Sequence, residues 1–251
     1  MTKWSFKKIK RVKIIIVKPD QQNLWHKCER LEYDIFHDCG YIQPSAKNRI
    51  EYFDEYKRVE FIAAIFDSRQ GFPEHEKLMG VMRIVYPSND TNQKIADTFP
   101  TLRNARKIGY SSWAASENSS LKVPFENNNV LWLFSDRYDQ VMKLNPSHCI
   151  DLATIAISSE GRRMKAIYAI NARAVTRVWE QPPLRYSLLA VDHGVYCRYK
   201  AKGLPITELG PPVLYWGSLT VPILIDFNQI PTGIQKIMIF LYQLKGYIGI
   251  K

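Results

Sequence analysis

The stretch "IDLATIAISSEGRRMKAIYAINARAVTRVW" opens on an apolar run with a carboxylate, Asp151, at its head. A glycine and two arginines, Gly161, Arg162 and Arg163, follow where the run gives way to a basic amphipathic segment. A carboxylate desolvated at such a place has a raised pKa and can accept a proton at neutral pH. Its alternative role is to cap local backbone N–H groups. In the turn "SSEGRR", Gly161 lets the backbone come close to a ligand, and the helix that follows offers unpaired N–H groups. With the two arginines beside it, the turn fits the phosphate of a pantetheine arm. An ordinary glycine-containing turn opening a surface helix fits the same residues. Arg83 lies inside the apolar run "LMGVMRIVYP", and a buried arginine needs a carboxylate partner.

The elements that must position these groups follow from periodicity. "RVKIIIVK" reads as a buried strand, and "DQQNLWHKCERLEYDIF" as a helix with Asp20 at its N-cap. "GYIQPSAKNRIEYFDEY" reads as loop, and "VEFIAAIF" with "KLMGVMRIVYP" as an antiparallel hairpin. Residues 87–147 are irregular, with short helices and long loops expected. The strand "IDLATIAIS", a helix from about Arg162 to Glu180, the strand "LRYSLLAV", the helix "HGVYCRYKAKG" and the closing strands of "VLYWGSLTVPILIDF" complete the chain. The order is β-α-ββ-(irregular)-β-α-β-α-β(β), an α+β fold.

Composition narrows the function. The chain has 251 residues, enough for one large domain, and 46% of them are hydrophobic, enough for a real core. No apolar run approaches the ~20 residues of a membrane span. Ile14 to Val17 is too short for the core of a signal peptide. Cys28, Cys39, Cys149 and Cys197 have neither disulfide-like nor zinc-like spacing. These features point to a cytoplasmic protein. The excess of 35 Lys+Arg over 24 Asp+Glu favours an anionic partner. No dinucleotide fingerprint, phosphate-binding loop or hydrolase elbow is present. The five histidines do not pair at metal-ligand spacing, so no metal is expected. The aromatic residues form no stacking stripe, which argues against nucleic acid.

Order and motif together resemble the GNAT acyltransferase superfamily, in the branch of acyl-homoserine-lactone synthases and N-acyl amino acid synthases. "ERLEYDIFHDCGYI" is similar to the family's first helix and Gly-aromatic turn, giving Arg30, Phe36 and Tyr41 as substrate-binding residues. "EYFDEYKRVEFIAAI" resembles its acidic pair, here Glu51 and Asp54. "LMGVMRIVYPS" resembles the Gly-x-x-Arg-Leu-x-Pro strand, with Arg83, and "ADTFPTL" the segment after it. "IDLATIAIS" occupies the place of the Glu-x-Ser-Arg-Phe strand, with Asp151 for the Glu and Thr154 for the Arg. Tyr41 stands where the lactone synthases have Trp.

The resemblance implies a GNAT-like mixed, mostly antiparallel sheet with flanking helices over residues 1–251, including a basic extension at 1–12 and another at 228–251. It implies an N-acyltransferase that moves a fatty acyl group from acyl carrier protein to the amine of an amino acid. The alternatives are a lactone synthase using S-adenosylmethionine and a non-catalytic basic binding module. Asp151 would be the general base, with Glu51, Asp54 and Arg83 as its catalytic company. Ala156, Ile157 and Ser158 would polarise the thioester, and Gly161, Arg162 and Arg163 would seat the phosphate. The donor would be acyl-phosphopantetheine, on a carrier protein rather than on CoA, with no tightly bound cofactor. Arg162, Arg163, Lys165, Arg173 and Arg177 would line the outside of the helix while Met164, Ile167, Tyr168, Val175 and Val178 turn inward.

Overall fold

The computed structural model describes residues 11–67, 77–88, 94–109 and 130–230, together with Gly233. Most of the two expected terminal extensions, and the polar loop of the expected hairpin, lie outside the described residues. An eight-stranded sheet runs in the order β1-β2-β3-β6-β7-β10-β8, with β9 pairing β10. Its strands are β1 (Arg11–Val17), β2 (Val59–Asp67), β3 (Lys77–Val85), β6 (Cys149–Ile157), β7 (Tyr186–Asp192), β8 (Ile206–Glu208), β9 (Val213–Tyr215) and β10 (Ser218–Asp226). All pairings in this sheet are antiparallel except β6 with β7. Helix α1 (Gln22–Asp38) covers one face, against Phe61, Val81 and Ala156. Helix α6 (Ala166–Trp179) covers the other, packing Ile170, Ala174 and Val178 against Ile62, Met82 and Ile84. The expected α+β, GNAT-like architecture is the observed one. Among the described residues no helix is long and apolar enough to cross a membrane.

Several local expectations change. β1 is an edge strand, so its Ile14–Ile16 are only half-buried. Asp20 does not cap α1: the cap position is Gln21, whose side chain turns back to accept from the Lys18 N–H at 2.9 Å. The irregular region holds short helices α2 (Ile95–Thr98), α3 (Pro100–Arg103) and α4 (Ser135–Met142). It also holds an unexpected parallel pair, β4 (Ala105–Ile108) with β5 (Leu131–Phe134). Four-residue strands separated by a long insertion leave too little alternation to read.

The helix expected from Arg162 to Glu180 is two helices. The first, α5 (Ser159–Arg163), ends where Lys165 takes a left-handed conformation (φ 57°), and α6 starts afresh after it. Helix α7 (His193–Ala201) follows β7. Trp216 and Gly217 both have positive φ (47° and 74°), the geometry that a tight two-residue β-hairpin requires, and they join β9 to β10.

Candidate active site

β6 is treated differently by its two neighbours. Toward β3 its register runs from Asp151 opposite Val85 to Ile157 opposite Gly80. Toward β7 pairing covers only Cys149, Ile150 and Asp151. Beyond Asp151 the parallel strands part, and Ile155 is 37% exposed in the middle of the central strand. The register also skips Ala153: Arg83 faces Thr154, but Ile84 faces Leu152. This bulge shifts the alternation of side chains by one. Asp151 and Thr154 therefore share the α1 face with Val85 and Arg83, although a regular strand would separate residues three apart.

The parted edge exposes backbone donors, though not all the expected ones. Ser158 donates its N–H to the Met79 carbonyl at 3.0 Å, which makes that pair hydrogen-bonded. Antiparallel alternation then turns the Ala156 N–H toward β3, and the N–H groups of Ile155 and Ile157 toward the opening. The Ile157 carbonyl is on that side too, and accepts from Arg162 Nη1 at 3.3 Å. Ile157 keeps its expected orientation, Ile155 joins it, and Ala156 and Ser158 are engaged with β3. The Ser158 hydroxyl caps α5 by accepting from the Gly161 N–H at 3.0 Å. Gly161 has a cause other than ligand approach: a Cβ there would lie 2.1 Å from the Met79 carbonyl oxygen. Glycine lets α5 press against β3. Arg162 and Arg163 are exposed at the head of the opening.

Asp151 is fully buried. Its Oδ2 accepts from the Thr101 N–H at 2.7 Å and its Oδ1 from the Thr101 hydroxyl at 3.0 Å. Burial pushes its carboxyl pKa up to about 7 against the opposing pull of the two Thr101 bonds. Nearby are Tyr52, Tyr56 and Tyr215, whose phenols are raised chiefly by burial and further by the Asp151 charge; Tyr215 reaches about 12. The Tyr52 hydroxyl meets that of Tyr56 at 3.1 Å and accepts from Asn104 Nδ2 at 2.9 Å.

Arg83 is buried, as an ion pair was expected to require, but its partner is neither Glu51 nor Asp54. Its Nη2 donates to Glu32 Oε2 at 2.5 Å and its Nε to Glu32 Oε1 at 3.1 Å, with Glu32 fully buried on α1. The Thr154 hydroxyl also donates to Glu32. Phe53 and Phe61 sandwich the guanidinium at 4.5 and 4.4 Å. Glu51 and Asp54 are the exposed residues of a 3₁₀ turn (Glu51–Glu55) that buries Phe53, and each pairs with a surface cation. Asp54 forms a two-bond pair with Arg49 at 2.6 and 2.7 Å, and Glu51 pairs with Lys47, which holds its carboxyl below the usual range.

Phe36 and Tyr41 are together, edge to face at 5.7 Å, whereas Arg30 points to solvent and pairs with Asp34 at 2.8 Å. Sequence reasoning missed Trp216. It meets Phe36, Tyr52 and Phe53 edge to face at 6.0, 6.0 and 6.4 Å, and stacks on Tyr215. The hairpin thus brings this ring to the cluster of Ile50, Phe53, Val59 and Val85, against which Ala153, the bulge of β6, also packs. A Trp in left-handed conformation breaks the usual turn preference, so no local signal pointed to it.

The basic helix is also revised. Arg173 pairs with Glu180 and Arg177 with Glu60, leaving Arg162, Arg163 and Lys165 as the exposed basic set here. Tyr168, expected inward, is 52% exposed, on the first turn of the helix that starts afresh after Lys165.

No family model matches the sequence, and no curated protein matches it. Solved structures do match in fold. The CoA-dependent acyl-homoserine lactone synthase BjaI with MTA superposes with a TM-score of 0.58 at 11% identity, over 93% of this chain and 90% of its own. The CoA-dependent synthase MesI gives 0.53 at 13% identity, over 92% and 95%. The AHL synthase LasI gives 0.51 at 16% identity, over 87% and 91%. This chain has the GNAT-like fold of those synthases.

Proposed function

We propose that this protein is an N-acyltransferase that takes an acyl group from a phosphopantetheine thioester and places it on an amine. The observation that carries the reading is the parting of β6 from β7 immediately beyond a buried carboxyl with a pKa of about 7. The donor arm lies along the free edge of β6, where the N–H groups of Ile155 and Ile157 have no strand to pair with. One of them polarises the thioester carbonyl as the tetrahedral oxyanion forms. The amine attacks as the free base, so its ammonium must first lose a proton. Asp151 receives that proton through a water, since Thr101 already donates to both carboxylate oxygens. The C–N bond forms, the C–S bond breaks, and the thiolate leaves with a proton. Arg83, Glu32 and Thr154 hold β3, β6 and α1 in register beneath the acceptor, acting as positioning residues. Glu51 and Asp54 fasten the 3₁₀ turn, and Phe36, Tyr41 and Trp216 wall the acceptor.

The finer reading is a cytoplasmic enzyme whose donor rides on acyl carrier protein and whose acceptor is an amino acid. Arg162 and Arg163 face the acidic carrier. Asp151 in place of the longer Glu, and Thr154 in place of Arg, favour the amino acid over S-adenosylmethionine. BjaI and MesI are CoA-dependent, so both carriers belong in the test. The purified protein is incubated with long-chain acyl carrier protein or acyl-CoA, a pool of amino acids and S-adenosylmethionine, and products are read by mass. An N-acyl amino acid is expected. An acyl-homoserine lactone would replace the acceptor assignment, and no acylated amine from either donor would overturn the function.

A further inference from the structure

Helix α3 carries more than the residue that holds Asp151. It ends at Arg103 with Asn104 as its C-cap, one turn beyond Thr101. Asn104 Nδ2 donates to the Tyr52 hydroxyl at 2.9 Å, and Asn104 also hydrogen-bonds the Tyr215 phenol. Arg103 hydrogen-bonds the Tyr56 phenol and donates to Glu55. Tyr52, Tyr56, Tyr215 and Asn104 are all half-buried, and the three phenols share the influence of the Asp151 charge. Burial raises all three, so at neutral pH they are intact O–H donors.

Counting hydrogens shows what this cluster lacks. A guanidinium and an amide nitrogen only donate. The Tyr52 and Tyr56 hydroxyls hold two hydrogens between them, and their 3.1 Å contact uses one. The other has no acceptor among the described residues. An unspent O–H beside an amide and a guanidinium suits an anion. The Arg103–Glu55 pair is about half exposed at both ends, with 41% and 59% of the side chains accessible. Such a pair contributes little, so Arg103 is free to share its charge.

We propose that the Tyr52 and Tyr56 hydroxyls, backed by Arg103, bind the carboxylate of an α-amino acid acceptor and so select it over simple amines. This rests on the N-acyltransferase reading. An α-amino acid carries its carboxylate one carbon from its amine, so the carboxylate seat must adjoin the group that takes the amine's proton. One short helix meets that demand, fixing Asp151 through Thr101 and the phenols through Arg103 and Asn104. Tyr52 also meets Trp216 edge to face at 6.0 Å, which joins its hydroxyl to the aromatic wall of the acceptor. S-adenosylmethionine has the same carboxylate, so the seat reads a class of acceptor and not one member of it.

The test compares the full-length wild type with Tyr56→Phe and Arg103→Met. Each is assayed with a long-chain acyl-phosphopantetheine donor on three acceptor pairs. These are leucine with isopentylamine, phenylalanine with phenethylamine, and S-adenosylmethionine with its decarboxylated form. In both variants KM for the accepted amino acid should rise roughly tenfold, while KM for its decarboxylated partner changes far less. Thermal melting of Tyr56→Phe should stay close to wild type. If the wild type acylates none of the six compounds, the N-acyltransferase reading fails and this inference with it. If the wild type acylates amino acid and amine equally well, or only the amines, this inference alone fails. Equal rises in KM for both members of a pair would assign Tyr56 and Arg103 a structural role and overturn it too.

Discussion

Two carboxylates are fully buried on the α1 face of the same sheet, and they are stabilised in opposite ways. Glu32 has a cation: Arg83 donates to it through two nitrogens, Thr154 adds a hydroxyl, and aromatic rings enclose the pair. Asp151 has, among the described residues, only Thr101, a neutral donor, and burial raises its carboxyl to about 7. A buried ion pair has no spare charge to offer a substrate. A buried carboxyl without a cation stays close to the balance between its two protonation states, which is what proton transfer at neutral pH needs. The pair also differs in setting. Glu32 and Arg83 join α1 to β3, which keeps a strand on both sides, β2 and β6, while Asp151 marks the position where β6 loses β7.

The largest expected effect breaks the first carboxylate. Glu32→Gln leaves a buried guanidinium unpaired, which costs about 3–5 kcal/mol of stability. Chemical denaturation should register it. A loss within experimental error of zero would mean that Glu32 and Arg83 are not joined as described.

Asp151→Asn should lower acyl transfer by roughly two orders of magnitude and leave the fold intact. The carboxyl's folded pKa is above its ordinary 3.8, so the folded state binds that proton more tightly than the unfolded chain does. Its contribution to stability is therefore fully present below about pH 4 and declines as pH rises toward 7. The Asn variant should lack that decline when melting is followed across the same range. Wild-type transfer should rise with pH up to about 7. An unchanged pH profile in the variant would remove Asp151 from the chemistry and leave it as the anchor of α3.

The smallest effect concerns the rim of the opening. Reversing Arg162 and Arg163 to Glu should raise KM for a carrier-protein donor roughly tenfold through lost steering. It should change KM for free acyl-phosphopantetheine much less. Equal losses with both donors would make these arginines part of the phosphate seat itself.

Much of this layout is legible in the sequence, and what is not has identifiable causes. The β2–β3 hairpin, β6, β7 and the helices around them follow from apolar runs bounded by turns, and Asp151 stands out as the one acid in its run. Arg83 announces its burial, but not its partner. Glu32 lies about fifty residues earlier on a helix whose buried face mixes Cys28, Glu29, Glu32 and Tyr33, so periodicity gives no sign of it. The bulge at Ala153 carries no local marker, yet it decides that Asp151 and Thr154 share a face. The break at Lys165 is hidden because Met164–Ala166 has good helix formers throughout. Trp216 reaches the site only through long-range pairing of the last strands.

The central claim is that the free edge of β6 receives the donor arm. Amide hydrogen exchange with and without a long-chain acyl-phosphopantetheine, resolved residue by residue, tests it most directly. Ala156, already turned toward β3, should exchange at the same rate in both states. Ile155 and Ile157 should slow strongly when the donor binds. Binding that leaves both of those amides exchanging as before would contradict the account.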